Sequence, residues 1–363
     1  MRDPRRDERA SRRESVEAGK YRGDITLEIT RIDPFDAAAV DAWWDAYASA
    51  ERADRGDDIP VWSREETRSE LQQESRVNER RAFLLRGDGL VVGAASLTLP
   101  LKDNTHVAYL DIDVPLAHRR RGVGSAALAF LESEAAAAGR TTAQGDTSWR
   151  YELGSDGSGD PGREFARRHG YTLALGDVQN RLALPVAPTV LDGIDADIAA
   201  AIQGYTIRSW VGPVPDDVVE GWAILDASID TEAPSGDLDI EPAKPDVESI
   251  REHEDLLIRQ NRLSIGTIAL DPQGEAVAYT QLVVSGDDGN AYQWGTLVRR
   301  SDRGHRLGTA VKIANLRLLQ HAAPQARAVY TYNAESNAHM LAVNTLLGFA
   351  PTERMGELQK HLA

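Results

Sequence analysis

Landmarks in the first half of the sequence recur in the second at a nearly constant distance. Arg303 follows Arg119 by 184 residues, and Val298 follows Val114 by the same 184. Arg251 follows Arg68 by 183, and Gly274 follows Gly89 by 185. A spacing held within a residue or two over four landmarks marks an internal duplication, so the chain is expected to fold as two copies of one plan. Its 363 residues accommodate two domains of ordinary size.

The plan is read from the first copy. Ile25, Leu27 and Ile29 alternate as a strand. Residues 37–47, with Val40, Trp43, Trp44 and Tyr47, read as an amphipathic helix, and a second helix is expected over 64–78. Residues 82–85 and 90–99 read as strands about the turn Gly87-Asp88-Gly89. Residues 110–114 then alternate apolar and acidic positions, as a half-buried strand does. After Pro115 and His118 comes a basic, glycine-bearing turn, Arg119-Arg120-Arg121-Gly122-Val123-Gly124. Val123, Ala126, Ala127, Phe130 and Leu131 recur at helical spacing, so a helix begins inside the turn. A strand feeding a glycine turn and a helix start presents unpaired N–H groups and the positive end of a dipole, an anion site suited to phosphate or pyrophosphate. Gly122 and Gly124 let backbone approach such an anion. Residues 154–162 read as a flexible loop by composition, 165–169 as a short helix, and 172–175 and 181–184 as end strands. Pro185 and Pro188 mark a domain exit, after which the plan restarts with a strand at 205–210 and a helix carrying Trp222.

Strand, R-x-x-G-x-G and helix in this order resemble the acyl-CoA signature of the Gcn5-related N-acetyltransferases (GNAT). A P-loop would need a G-K-[ST] ending, and the dinucleotide fingerprint a further glycine; neither is completed. With the duplication, the resemblance covers nearly the whole chain and is to tandem-domain members, similar in architecture to mycothiol synthase and actinobacterial relatives. It implies an α/β (α+β) fold of two tandem domains. Each would be a mixed, mostly antiparallel sheet, splayed at an acyl-CoA site and flanked by helices. The expected division is a disordered tail over 1–24, a first domain over 25–186, a linker over 187–204 and a second domain over 205–363. Acids interspersed through the tail argue against a basic nucleic-acid arm.

Composition narrows the function. A net charge of −16 argues against general nucleic-acid binding, which wants a basic face. Cysteine is absent, which removes disulfides, thiolate metal sites and a cysteine acyl-enzyme. The family mechanism, direct transfer from acetyl-CoA to an amine in a ternary complex, is then the expectation. No run approaches the roughly 18 apolar residues of a membrane span, and no secretory h-region opens the chain. A cytoplasmic protein is expected, with acetyl-CoA and a small-molecule amine as partners, no nucleic acid or membrane, and a homodimer left open.

The two copies differ. In the second, the turn reads Arg303, Gly304, His305, Arg306, Leu307, Gly308, Thr309, with Arg306 in place of the first glycine and Gly308 keeping the last. The resemblance makes these residues acetyl-CoA contacts, with Leu297 and Val298, where a strand N–H would polarise the acyl carbonyl. Arg119, Gly122 and Gly124 are their counterparts in the first copy. Arg306 can grip phosphate bidentately or stand as a solvated charge. Only the second copy carries Asn333 and Asn337 ahead of Gly348-Phe349. In the family that segment closes the CoA site, and asparagine offers donor and acceptor to pantetheine; helix capping is the alternative role. The second domain is therefore expected to be catalytic and the first degenerate.

Transfer requires a base for the amine proton. Asp111 and Asp113 lie on the first signature strand, whereas the second has Gly295 and Leu297 there. Asp237 and Asp239, in the stretch 235–241, are the carboxylates expected on the acceptor side; His305 and His339 also titrate. Where many family members place an acid tyrosine, this chain has Ala166 and Asn344. Asn344 and the neighbouring Tyr332 are carried as catalytic-site residues. Trp210, Trp222 and Trp294 line either an acceptor cleft or the core. Antibiotic, polyamine, amino-sugar, peptide and thiol-precursor acceptors stay open, the acidic chain weakly favouring a cationic amine. Two other readings remain: an acyl-CoA sensor that has lost transfer, and a protein whose glycine turns hold some other phosphate.

Overall fold

The computed structural model describes residues 27–56 and 59–362, so Ile25 and the tail over 1–24 lie outside the described residues. The chain forms two compact units. One comprises the chain through Asp146 with Ala166–Thr172 and the last residues from Leu358; the other comprises Thr147–Phe165 and Leu173–Glu357. The units are thus assembled from interleaved segments and do not part at residue 186.

The first unit contains β1 (Leu27–Arg31), α1 (Ala37–Arg55), α2 (Arg64–Gln72), β2 (Asn78–Gly87), β3 (Leu90–Pro100), β4 (Val107–Asp113), α3 (Val123–Ala137) and the start of β5 (Thr142–Arg150). Asp36 caps α1 by accepting from the Ala38 and Ala39 N–H groups. Val40, Trp43 and Ala46 of that helix are buried with Ala82, Leu84 and Ala94 of the sheet. A Ser63–Glu66 capping box starts α2. This helix stops at Gln72, short of the expected Asn78, which already pairs with Pro100 in β2–β3. Neighbours β1 to β4 are antiparallel. The β4–β5 pair is parallel, and it holds only for Val107–Tyr109 against Thr142–Gln144 before the strands part.

The remaining elements are α4 (Pro161–Arg168), β6 (Thr172–Ala183), α5 (Pro188–Ile198), β7 (Thr206–Val211), α6 (Val219–Ala227), α7 (Ile229–Glu232), α8 (Val247–Arg259), β8 (Leu263–Leu270), β9 (Ala276–Val284), β10 (Asn290–Val298), α9 (Leu307–Ala322), β11 (Ala328–Ala334), α10 (Ala338–Leu346) and β12 (Ala350–His361). They belong to the second unit except where α4, β6 and β12 include residues of 166–172 and 358–361. In its sheet β7, β8, β9 and β10 are antiparallel neighbours, β10 and β11 are parallel, and β11 is antiparallel to β6. The parallel pairing is again short, ending at Gln293 against Thr331.

Three expectations are corrected. The two end strands at 172–175 and 181–184 are one strand, β6. Gly176 and Asp177 resemble turn residues, but β11 satisfies them: Asp177 pairs with Ala334, and the Glu335 N–H bonds Gly176 O at 2.9 Å. The supposed linker over 187–204 contains helix α5. Pro188 opens it, and Leu191, Ile194 and Ile198 share one face, buried with Ile313 and Leu316 of α9. The loop of 154–160 is held around an indole: Trp149 is 1% exposed and its Nε1 donates to Gly154 O at 2.8 Å. A Cβ on Gly157, whose φ is +61°, would lie 2.7 Å from that ring.

Candidate functional site

Each turn before a signature helix contains two left-handed residues two positions apart. In the first unit they are Arg120 (φ 62°) and Gly122 (φ 87°); in the second, Gly304 (φ 90°) and Arg306 (φ 57°). Glycine fills the second such position in one turn and the first in the other. Alternating backbone handedness turns successive N–H groups inward, forming an anion-binding concavity. Neither N-cap residue makes a side-chain cap bond. The first N–H groups of α3 and α9, from Val123, Gly124 and Ser125 and from Leu307, Gly308 and Thr309, therefore lie free for an anion at the positive helix ends. Arg306 holds its left-handed geometry at about 1 kcal/mol, a local strain that points to a demand beyond folding.

Gly308 tests whether the diphosphate of CoA fits. Its φ is not positive, and a Cβ there would meet only Val298 Cγ2, at 3.5 Å. Neither backbone conformation nor a Cβ contact requires glycine; as glycine it puts no side chain over the first turn of α9, where the residue is itself buried. Donors without acceptors suit a diphosphate.

Arg119 and Arg303 are engaged by the chain itself. Their Nε atoms donate to Val114 O (2.8 Å) and Val298 O (3.3 Å), pinning each turn to its strand. Beyond that, Arg119 Nη2 donates to Ala50 O at 3.2 Å, and Arg303 Nη2 lies 2.6 Å from Glu232 Oε2. His305 Nδ1 lies 3.2 Å from Asp302 O, and its ring packs against Tyr205. Arg306 and His339 are exposed.

Beyond Gln293 and Thr331, β10 and β11 enclose a gap. The Arg299 N–H bonds Val277 O on the β9 side at 2.8 Å. By strand alternation Leu297 also faces β9, while Val298 turns its N–H to the gap. The Leu297 side chain is buried with Trp222 and Tyr279. A bulge interrupts β10 between Gln293 and Thr296, re-aiming the strand at the gap. Within it, a Cβ on Gly295 would fall 2.1 Å from Tyr279 Oη. That hydroxyl donates to Asp226 Oδ1 at 2.9 Å. Desolvation raises the Asp226 carboxyl above its ordinary value, and the Tyr279 hydrogen bond opposes the rise. The residue is nonetheless exposed at the surface. Sequence reasoning found no carboxylate at this strand because this one arrives from α6; the signal was Gly295, where a side chain gives way to a hydroxyl.

The opposite wall is polar. Lys312 Nζ donates to Asn344 Oδ1 at 2.6 Å, and Asn344 Nδ2 donates to Asn333 Oδ1 at 2.6 Å. Asn344 is 1% exposed, Asn333 half-buried. Tyr332 leans toward β6, its hydroxyl accepting from Gln179 Nε2 at 2.6 Å. Asn337 caps α10, accepting from the Met340 N–H at 3.2 Å. After α7, which packs on β10, the chain reaches β6 on the far side of β11, where the Asp237 N–H bonds Ala174 O at 2.9 Å. This stretch, with Asp237 exposed and Asp239 half-buried, thereby passes the open end of the gap. Trp210 and Trp222 pack edge to face in the core, and Trp294 lies beside His253 and Arg262.

The first unit's gap is lined differently. Asp111 and Asp113 lie on β4, and Asp146 stands two residues past the last β5 pair, as Asn333 does on β11. Ser96 Oγ donates to Asp111 at 2.7 Å. Desolvation, then the charges of Glu51, Asp111 and Asp146, raise the Asp113 carboxyl well above its ordinary value, against the pull of Arg119.

The model of the acetyltransferase (GNAT) family matches residues 40–146. Among solved structures the chain is similar to a tandem GNAT protein from the clavulanic acid biosynthesis pathway, solved without acetyl-CoA. The two are 26% identical over 93% of this chain and 99% of that one, with a TM-score of 0.73. It shares its fold with a GCN5-related N-acetyltransferase from Sphaerobacter thermophilus (15% identity, 93% and 96% coverage, TM-score 0.62). The same holds for an acetyltransferase assigned as such in Pyrococcus horikoshii (13% identity, 94% and 92% coverage, TM-score 0.53). No curated protein matches the chain. Among the described residues no helix is long and apolar enough to cross a membrane. The family model thus marks a GNAT acetyltransferase domain within residues 40–146, and the chain as a whole is similar to a tandem GNAT protein.

Proposed function

We propose that the chain transfers an acetyl group from acetyl-CoA directly to a primary amine of a small molecule, in a ternary complex at the β10–β11 gap. The observation that carries this reading is the order of groups along that gap. An uncapped anion turn with no side chain at Gly308 lies at one end, the Val298 N–H faces the opening, and Asp226 with Tyr279 lies at the bulge. Acetyl-CoA, when bound, supplies an activated acetyl thioester. The α9 turn holds the diphosphate, and Asn333 meets the pantetheine arm. The Val298 N–H receives the charge that gathers on the acyl oxygen. The acceptor nitrogen bonds the acyl carbon as the carbon–sulfur bond breaks; Asp226 takes the amine proton, and the sulfur departs as thiolate. A carboxyl raised above its ordinary value is the better base near neutral pH. Asp237 and Asp239 border the acceptor and favour a cationic one.

Calorimetry with CoA, ATP and NAD, followed by acetyl-CoA turnover over a panel of amines, tests the reading. CoA alone should bind, and at least one small amine should be acetylated. A second reading, an acyl-CoA sensor without transfer, is favoured by one observation: Asn344, at the position of the family's acid tyrosine, is buried and hydrogen-bonded at both ends. Tight CoA binding with no turnover on any amine supports the sensor.

A further inference from the structure

Lys312 is a lysine where core packing asks for none. It is 1% exposed on α9, and the residue 184 positions earlier is Leu128, itself buried. Its Nζ makes one hydrogen bond, to Asn344 Oδ1, and lies 5.4 Å from the Phe349 ring centroid. Burial pushes the ammonium down to about 7. At the matching place of the first copy a leucine packs with no polar group to desolvate. Core packing alone therefore gives no reason for an amine here.

Hydrogen-bond direction gives one. An asparagine amide presents oxygen one way and N–H the other. Lys312 Nζ donates to Asn344 Oδ1 on the inner side, so Asn344 Nδ2 points outward and meets Asn333 Oδ1. With that oxygen occupied, half-buried Asn333 keeps its Nδ2 donor for the gap between β10 and β11. A donor there stabilises a departing thiolate; an oxygen would repel it.

We infer that Lys312 is a positioning residue which, through Asn344, orients Asn333 so that an N–H donor faces the sulfur of CoA. The inference rests on the proposed acetyl-CoA site in the second unit and assigns that site its support for the leaving group. It also explains how a buried asparagine can stand where a tyrosine acid is common. The leaving sulfur is stabilised by a hydrogen bond whose direction is set one helix away.

Calorimetry of CoA and desulfo-CoA at pH 8.5, near the ordinary thiol pKa of about 8.5, tests it on the full chain. The unmodified protein should prefer CoA at least about tenfold, the worth of one charge-assisted hydrogen bond. Lys312→Met should lose most of that preference and keep desulfo-CoA affinity within about twofold, with a lower melting temperature because buried Asn344 Oδ1 loses its donor. Asn333→Asp, at a half-buried position where folding is not at stake, presents only acceptors and should bind CoA more weakly than desulfo-CoA. No preference in the parent overturns the inference, as does an intact preference in either variant. A Lys312→Met protein that melts lower with its preference intact makes Lys312 structural. Binding of neither ligand by the parent defeats the reading of the site itself, and this inference with it.

Discussion

The two gaps between parallel strands share a backbone plan and differ in what lines it. In the first unit the walls carry Asp111, Asp113 and Asp146, with Glu51 close enough to raise Asp113 further. In the second the matching positions hold Gly295, Leu297 and Asn333, and the nearby carboxylate, Asp226, comes from a helix and is held by Tyr279. A gap walled with anions repels both a thiolate and an acyl oxygen that gains charge. One walled with amides and a glycine bulge accepts them. The turns differ only in order: left-handed arginine then glycine in the first unit, glycine then arginine in the second. The family model matches residues 40–146, in the half whose gap is acidic. Likeness to a family pattern and fitness of a gap for its chemistry are thus separate properties of this chain.

The largest expected effect that divides the gaps is on the base. Asp226→Asn should lower kcat by about 10²–10⁴, the usual worth of a general base, with CoA affinity unchanged. Asp111→Asn and Asp113→Asn should each leave turnover within about threefold. Turnover of the parent should fall as the pH drops through the raised Asp226 value, because protonation removes the base. If instead Asp111→Asn inactivates and Asp226→Asn is benign, the working gap is the first. A smaller effect belongs to the acceptor end. Asp237→Asn or Asp239→Asn should raise the acceptor KM about three- to tenfold, as loss of roughly 1 kcal/mol would. CoA affinity should hold; its equal loss would make the 235–241 stretch a folding element.

How far these residues were legible in the sequence follows from where their partners sit. The strand–glycine turn–helix order was readable because its parts are contiguous, and the duplication was readable because its spacing is one-dimensional. Strand β6 was not, since Gly176 and Asp177 look like a turn until β11 pairs them. Helix α5 was masked by the prolines before it, although Leu191, Ile194 and Ile198 already had helical spacing. Asp226 and Lys312 are hydrogen-bonded to partners distant in sequence, Tyr279 and Asn344, and no local pattern marks such pairs. Arg119 and Arg303 fit the signature by residue type, but their side chains are spent on Val114, Ala50, Val298 and Glu232.

Two stability measurements sharpen the contrast at lower amplitude. Arg306→Gly removes a side chain from a left-handed position and should stabilise by about 1 kcal/mol, raising Tm by roughly 2–4 °C; Gly122→Arg should do the reverse. Asp113→Asn should raise Tm at pH 7 by about 1–3 °C. The sign follows from the raised folded-state value of Asp113. Such a carboxyl contributes its stability below the ordinary pKa of about 3.9 and loses it as pH rises through the folded value. The gain from the substitution should therefore vanish below about pH 4. A gain that persists there would mean Asp113 is not repelled by its neighbours.

The central claim, that productive CoA binding and transfer belong to the second unit, is tested most directly by a matched pair of substitutions. Gly308→Glu and Gly124→Glu each put a carboxylate where helix N–H groups should hold a diphosphate, adding bulk and like charge. Neither glycine has a positive φ. A Cβ at Gly308 meets only Val298, at 3.5 Å, but the residue is buried, so a melting curve accompanies each variant. Gly308→Glu should abolish acetyl transfer and CoA binding, while Gly124→Glu, if its melting curve shows it folded, should retain most of both. A folded, inactive Gly124→Glu beside a fully active Gly308→Glu would contradict the account and move the site to the gap of Asp111 and Asp113.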